Sequence, residues 1–207
     1  RRAPAAAGAM SEHLDEALDT VLERIAAVAR RTFGAASCSI ALLDEAAGEL
    51  VYRAADGEAA ERVVGLRLSV ARGLAGFAAS AGQALIVDNV VADPRFAADV
   101  AERVGYVPQR MLVTPIARGD ETLGVLSIVD PPTEAPPGAG LELAGVLADA
   151  AAAAVELAGV ADPAAVAGLG PLAGPLVDLR ALGEDERDTA AALLRELVAY
   201  TRRRNRR

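Results

Sequence analysis

The chain has 207 residues, of which 53% are hydrophobic but only 3% aromatic, and a formal net charge of −8. That length provides for one ordinary domain plus extra segments, not two full domains. The acidic balance opposes a general nucleic-acid surface, which needs clustered cations, and no run of about 18 apolar residues free of charges, Gly and Pro is present to span a membrane. Much of the apolar content is alanine, which buries little area per side chain, so the helices are expected to pack closely. The stretch from Leu141 to Val160 comes nearest to a span, but Glu142, Asp149 and Glu156 make it an amphipathic helix. Every basic residue is arginine, a composition in keeping with a GC-rich genome and without functional meaning here. Cys38 is the single cysteine, so no intramolecular disulfide is available, and without a visible secretory signal the cytosol is the default compartment.

Arg1 to Ala9 is small, Pro-containing and aperiodic, and reads as a linker or cloning remnant ahead of a native start at Met10. Ser11 then caps a long helix whose first turn carries Glu12, Asp15 and Glu16, charges that suit the amino end of a helix dipole. Its apolar positions Leu14, Leu18, Val21, Leu22, Ile25 and Val28 recur at three and four, and Gly34 ends it after Phe33. Ser37 to Leu43 and Leu50 to Ala54 alternate around a turn at Asp44 to Gly48, which predicts a hairpin. Gly65 to Val70 forms a short third strand, Gly73 opens a short helix ending near Gly82, and Leu85 to Asp88 is a fourth strand. Asp93 caps a further helix, with Pro94 at its first position, running to about Val104. Met111 to Ile116 and Val125 to Val129 form a second hairpin around a loop at Ala117 to Gly124. After Pro131 to Pro137, a second long helix spans about Leu141 to Ala158. Residues 161–183 begin as a Pro-, Gly- and Ala-rich linker. From Glu184 a last helix carries Leu193, Leu194, Leu197 and Val198 on one side and ends in an arginine-rich tail to Arg207. The order, helices at both ends of an antiparallel-type sheet, is α+β.

The run Gly73-Leu74-Ala75-Gly76, then Ser80 to Gln83, Leu85 to Val90 and Asp93-Pro94-Arg95-Phe96 resembles the middle of a GAF domain. Met111 to Ile116 and Leu123 to Val129 resemble its later strands, so the resemblance covers about residues 12 to 160 in the family's order. It implies a six-stranded antiparallel sheet with the long N- and C-terminal helices on one face. Short helices and loops then roof a pocket on the other, and the C-terminal helix is extra. The function implied is that of a small-molecule sensor signalling through a helical dimer interface. A different class of reading is an interaction scaffold with a vestigial pocket and a protein partner on the C-terminal helix.

Candidate ligand residues follow from the same frame. Ser39, Thr114 and Ser127 are polar within apolar strands and are placed on the pocket face, although hydroxyls bonded to backbone inside a core explain them equally. Asp93, Arg95 and Phe96 belong to the segment near which the family's ligands lie; a cap, a surface ion pair and a core aromatic account for the same three. Asp88 and Asn89 end a strand where turn chemistry favours them, and Tyr106 and Arg110 flank the loop into the fifth strand, in position to close over a ligand.

Missing residues argue against the family's better-defined chemistries. Members that bind cyclic nucleotides carry a lysine-containing signature, and lysine is absent. A bilin requires a cysteine near the pocket helices, whereas Cys38 falls in the first strand, and haem requires a pocket histidine, whereas His13 lies at the start of the first helix. Relatives that reduce free methionine sulfoxide use several cysteines, and one thiol cannot complete that cycle. With one histidine and no phosphate-binding glycine loop followed by lysine, the usual triads, metal sites and P-loops are unavailable. The expectation is a binding module and no enzyme. The spacing 14, 18, 21, 25, 28 supports a homodimer through the long helices, and also suits packing on the sheet. The arginine tail could touch nucleic acid or an anionic membrane, but helix-end charge explains it within an acidic chain.

Overall fold

The computed structural model describes residues 4–132 and 137–159. The chain order is α1 (Pro4–Phe33), β1 (Ser37–Asp44), β2 (Glu49–Gly57), α2 (Ala60–Val63), β3 (Arg67–Ser69), α3 (Gly73–Ala81), β4 (Leu85–Val87), a single 3-10 turn at Val90–Ala92, α4 (Ala98–Val104), β5 (Met111–Arg118), β6 (Glu121–Val129) and α5 (Pro137–Gly159). The expected linker at 161–183 and last helix from 184 lie outside the described residues, as does the arginine tail.

Six strands form one antiparallel sheet in the order β3-β2-β1-β6-β5-β4. Period-two alternation sends each strand's residues to opposite faces. On one face Cys38, Ile40, Leu112, Ile116, Leu126 and Ile128 are buried against α1 and α5, which contribute Leu18, Leu22, Ile25 and Leu147. On the other, Ala41, Val113, Val125 and Leu50 pack beneath α3 through Leu74, Ala75 and Ala78. The α1 stripe from Leu14 to Val28 is buried within the single chain, so the spacing that suits a partner helix is used here on the sheet and α5. Among the described residues, no helix is long and apolar enough to cross a membrane.

Several boundaries differ from the sequence-based expectation. The first helix begins at Pro4 instead of Ser11: proline fits the first helical position and the alanines behind it have the highest helix propensity, so the supposed linker continues the helix. The loop expected at Ala117 to Gly124 is mostly ladder, closed by Gly119 and Asp120 with Gly119 at φ +59°. Asp93 does not start a helix at Pro94. Its Oδ1 accepts the backbone N–H of Arg95 in a local turn, and α4 starts only at Ala98. The one-turn helix α2 was not foreseen, because four residues carry no readable period.

Two irregularities shape the sheet. In β2 the register jumps between Ala41↔Tyr52 and Ile40↔Ala54, leaving Arg53 as the extra residue of a bulge. Arg53 therefore projects to the helix side, where its guanidinium meets Asp19 at 2.8 Å and Asp15 at 3.3 Å. In β6 a second jump beside Ile116 brings Gly124 close against β1, where an added Cβ would lie 2.2 Å from the Ala41 carbonyl oxygen and 3.0 Å from the Leu42 Cα. Those are backbone atoms and cannot turn aside. Gly124→Ala should therefore lower the free energy of unfolding by about 3 kcal/mol. Gly145→Ala in α5, where nothing lies within 4 Å of the new Cβ, should raise it by about 0.5–1 kcal/mol. Urea titration of the two variants beside the parent measures both changes.

Candidate functional site

Between the sheet and the layer of α2, α3 and α4 lies a partly enclosed cavity of about 130 Å³. The floor comes from β1, β2 and β6 through Ser39, Tyr52, Ala55 and Val129, and the roof from residues such as Val63, Leu74, Val100 and Val104. The roof is tied down by main-chain bonds: Tyr52 N–H donates to the Leu66 carbonyl and Gly65 N–H to the Tyr52 carbonyl, at 2.9 and 2.8 Å. These hold the α2–β3 connection over β2 while leaving the Tyr52 side chain on the cavity side.

The eight sequence-derived candidates separate into three groups. Ser39, Phe96 and Tyr106 line the cavity. Ser127 is on the same face, opposite Ser39 in the β1–β6 ladder, and its Oγ is buried without a hydrogen-bond partner among the described residues. Thr114 is not on that face. It pairs with Leu126 and sits between Leu112 and Ile116, all in the helix-side core, so alternation assigns it to the α1/α5 side. A hydroxyl in a strand covered on both faces does not reveal which face it occupies. Asp88 is exposed and forms an ion pair with Arg110 at 2.7 Å, outside the cavity wall. Asp93 and Arg95 satisfy each other: the guanidinium donates to both carboxylate oxygens at 2.9 and 2.7 Å, and the Arg95 bonds hold the Asp93 carboxyl down at about 2. Arg95 also lies 4.5 Å over the Phe77 ring and lines a neighbouring cleft with Phe77, Ser80 and Arg72. Both arginines there already have a carboxylate, Asp93 and Asp99 respectively.

The sequence reading missed Tyr52, Glu58 and the apolar roof. Tyr52 was within reach, because a period-two reading of β2 puts it on the face of Leu50. It also missed Asp130, which works from behind the wall. This residue has φ +48° and accepts the Tyr106 hydroxyl at 2.6 Å together with the backbone N–H groups of Gln109 and Arg110 at 2.8 and 2.7 Å. It thereby fixes the loop that carries Tyr106. The only other described non-glycine residue with left-handed backbone is Ala59, at φ +59° in the cavity wall.

The cavity's two phenols are held neutral. Burial pushes the Tyr52 phenol up to about 12, and burial followed by the Asp130 carboxylate does the same for Tyr106. Beneath the floor, in the helix-side core, burial drives the Cys38 thiol far above its ordinary range, so no thiolate forms there near neutrality. Glu58 stands exposed at the mouth.

A six-stranded antiparallel sheet, backed by two long helices and roofed by short ones over a cavity, defines a sensory or regulatory α+β module. The chain belongs to the GAF domain family, whose model matches residues 17–155. Among relatives, it is 29% identical over 122 residues to a probable 3',5'-cyclic phosphodiesterase of Caenorhabditis elegans; the match takes in 55% of this chain and 17% of that one, so this chain spans only a small part of it. Among solved structures, it is similar to the GAF domain of a phosphoenolpyruvate-protein phosphotransferase from Coxiella burnetii (22% identity, TM-score 0.62, 73% of this chain and 95% of that one). It is also similar to the second GAF domain of DevS from Mycobacterium smegmatis (26% identity, TM-score 0.55, 69% and 96%).

The raised phenols set a direction with pH. Because the folded state favours neutral Tyr52 and Tyr106, their contribution to stability is complete below the ordinary phenol value near 10 and is lost as pH rises through about 12. The chain has three tyrosines and no tryptophan, so ultraviolet titration reads them cleanly. At about pH 11 no more than one phenolate should be detected. Tyr106→Phe should remove one late-titrating phenol and cost about 1–2 kcal/mol by releasing the Asp130 bond.

Proposed function

We propose that this domain is a non-enzymatic sensor that holds a small molecule in the cavity between the sheet and the α2–α4 roof. It would signal through its long helices in a homodimer. The observation that carries this reading is the cavity itself: apolar walls around a few convergent hydroxyls, in a fold whose other core is closely packed. Binding without turnover is supported by the chemistry of the wall. Two phenols that stay protonated, with one exposed carboxylate at the mouth, supply neither an activated nucleophile nor an acid–base pair near neutrality. Output through the helices is supported by β1, which gives Ser39 to the cavity and Ile40 to the α1/α5 core. Since the Leu14 to Val28 stripe is covered within the chain, subunits would pair through the remaining faces of α1 and α5.

Native mass spectrometry of the freshly purified chain tests both parts. A non-covalent adduct on a dimer is expected, and Ala55→Leu, which projects a larger side chain from the cavity floor, should lose the adduct with the circular dichroism spectrum unchanged. An adduct that survives this substitution would place the ligand elsewhere, and a monomer would remove the helical dimer.

A further inference from the structure

Half of the aromatic side chains of an aromatic-poor protein line one small space. The chain has three tyrosines and three phenylalanines, and Tyr52, Phe96 and Tyr106 all border the cavity. Elsewhere the helix-side core holds a single ring, Phe33, among alanine and aliphatic residues, so three rings around one cavity are not a sample of average composition. Aromatic walls favour flat, polarisable ligands through offset or edge-to-face contact. Volume sets the size: about 130 Å³ compares with engineered apolar cavities of roughly 150 Å³ that accept a benzene ring.

Charge and hydrogen bonding narrow the class further. Among the described residues no arginine borders the cavity, and Glu58 at the mouth is the one carboxylate; an anion would be desolvated beside a like charge with no counter-ion. Apart from the Glu58 carboxylate at the mouth, the side-chain polar capacity of the described lining is that of neutral hydroxyls. The Tyr52 phenol remains a protonated donor and makes no hydrogen bond to a described residue, whereas that of Tyr106 is occupied by Asp130. Ser39 shares the floor with Tyr52, and across the ladder from it stands the Oγ of Ser127, unpartnered among the described residues. One group on the ligand that can accept from Tyr52 would satisfy this end, while the rest of the surface wants apolar contact.

We propose that the cavity is selective for compact uncharged molecules, a single aromatic ring bearing one hydroxyl or carbonyl group, with Tyr52 as the residue that reads the polar group. This deepens the sensor reading and rests on it. The direct probes are benzyl alcohol, toluene and benzoate, which share a ring and differ in having a neutral polar group, none, or a charge. Affinities from ligand-observed NMR titration should rank benzyl alcohol first, with benzoate at least about ten-fold weaker. Tyr52→Phe should reduce the preference for benzyl alcohol over toluene by about five-fold while leaving toluene unchanged, and Ala55→Leu should weaken both neutral probes together. Benzoate binding as tightly as benzyl alcohol, or an unaltered preference in Tyr52→Phe, would overturn the proposal. Failure of the class alone is recognisable: the three probes do not bind, yet native mass spectrometry shows an adduct that Ala55→Leu removes, and the adduct's mass and charge then define a different ligand. If there is also no adduct, the sensor reading falls with it.

Discussion

The central strands of this sheet have no face toward water, and most of the structure follows from that constraint. β1, β5 and β6 are covered by α1 and α5 on one side and by α3 and the cavity roof on the other. Side chains along them must therefore be apolar or small whichever way they point. Ile40, Val113, Val125, Leu126 and Ile128 are fully buried although they divide between the two faces. The arrangement also brings the cavity and the long helices to within one strand's thickness. Cys38, Ser39 and Ile40 are consecutive; Ser39 is in the cavity floor, and Cys38 and Ile40 are in the helix-side core. In an interior packed to crystal-like density, a change in the floor cannot be absorbed without displacing what lies beneath it. That proximity is the geometric requirement for coupling a ligand to the helices.

Alanine sets how close the helices come. Ala144, Ala148, Ala151, Ala152 and Ala154 are buried on α5, and Ala26 and Ala29 on α1. Small side chains bring helix backbones near the sheet, and the loss of buried area per residue is offset by the number of residues in contact. The same closeness makes Gly124 necessary at the bulge in β6, where the backbones of β1 and β6 leave no room for a Cβ. The bulge at Arg53 has a separate effect: it reverses the alternation of β2, so that Tyr52 faces the cavity and Ala54 the helices although both have even spacing from Leu50.

The sheet, its hairpins and both long helices were legible because their periods are long and their stops are glycines, as at Gly34 and Gly82. Less was legible in the site. Ser39, Phe96 and Tyr106 were recognisable as polar or aromatic residues in segments flanking a roof, but Thr114 was assigned to the wrong face. Strands buried on both sides lose the polar-out signal that normally distinguishes faces, and only the register with Leu126 places it. Asp93 and Arg95 are adjacent to the right segment yet neutralise each other two residues apart, a pairing that spacing alone does not distinguish from a ligand clamp. Asp130 was invisible for another reason. Its role depends on a left-handed backbone and on three donors brought from residues 106 to 110, and the sequence shows only an acid before two prolines.

The cavity's persistence needs a physical cause, since a chain this rich in small residues closes its other core. On the helix side two elements of 30 and 23 residues settle freely onto the sheet. On the roof side α2 has four residues and α4 seven, too short to bury a continuous stripe, and their positions are set by external ties. The main-chain bonds of Tyr52 with Leu66 and Gly65 fix one margin, and the Asp130 clasp on Tyr106, Gln109 and Arg110 fixes the other. Between these two supports the roof cannot collapse onto the floor without breaking these hydrogen bonds, each worth about 1 kcal/mol net and more when one partner is charged. A sealed, dry volume of about 130 Å³ would cost roughly 3 kcal/mol at about 24 cal/mol per Å³, and the open mouth lowers that cost by admitting water. The ties are therefore strong enough to hold the space open, and a ligand that fills it gains the apolar contact its walls otherwise lack.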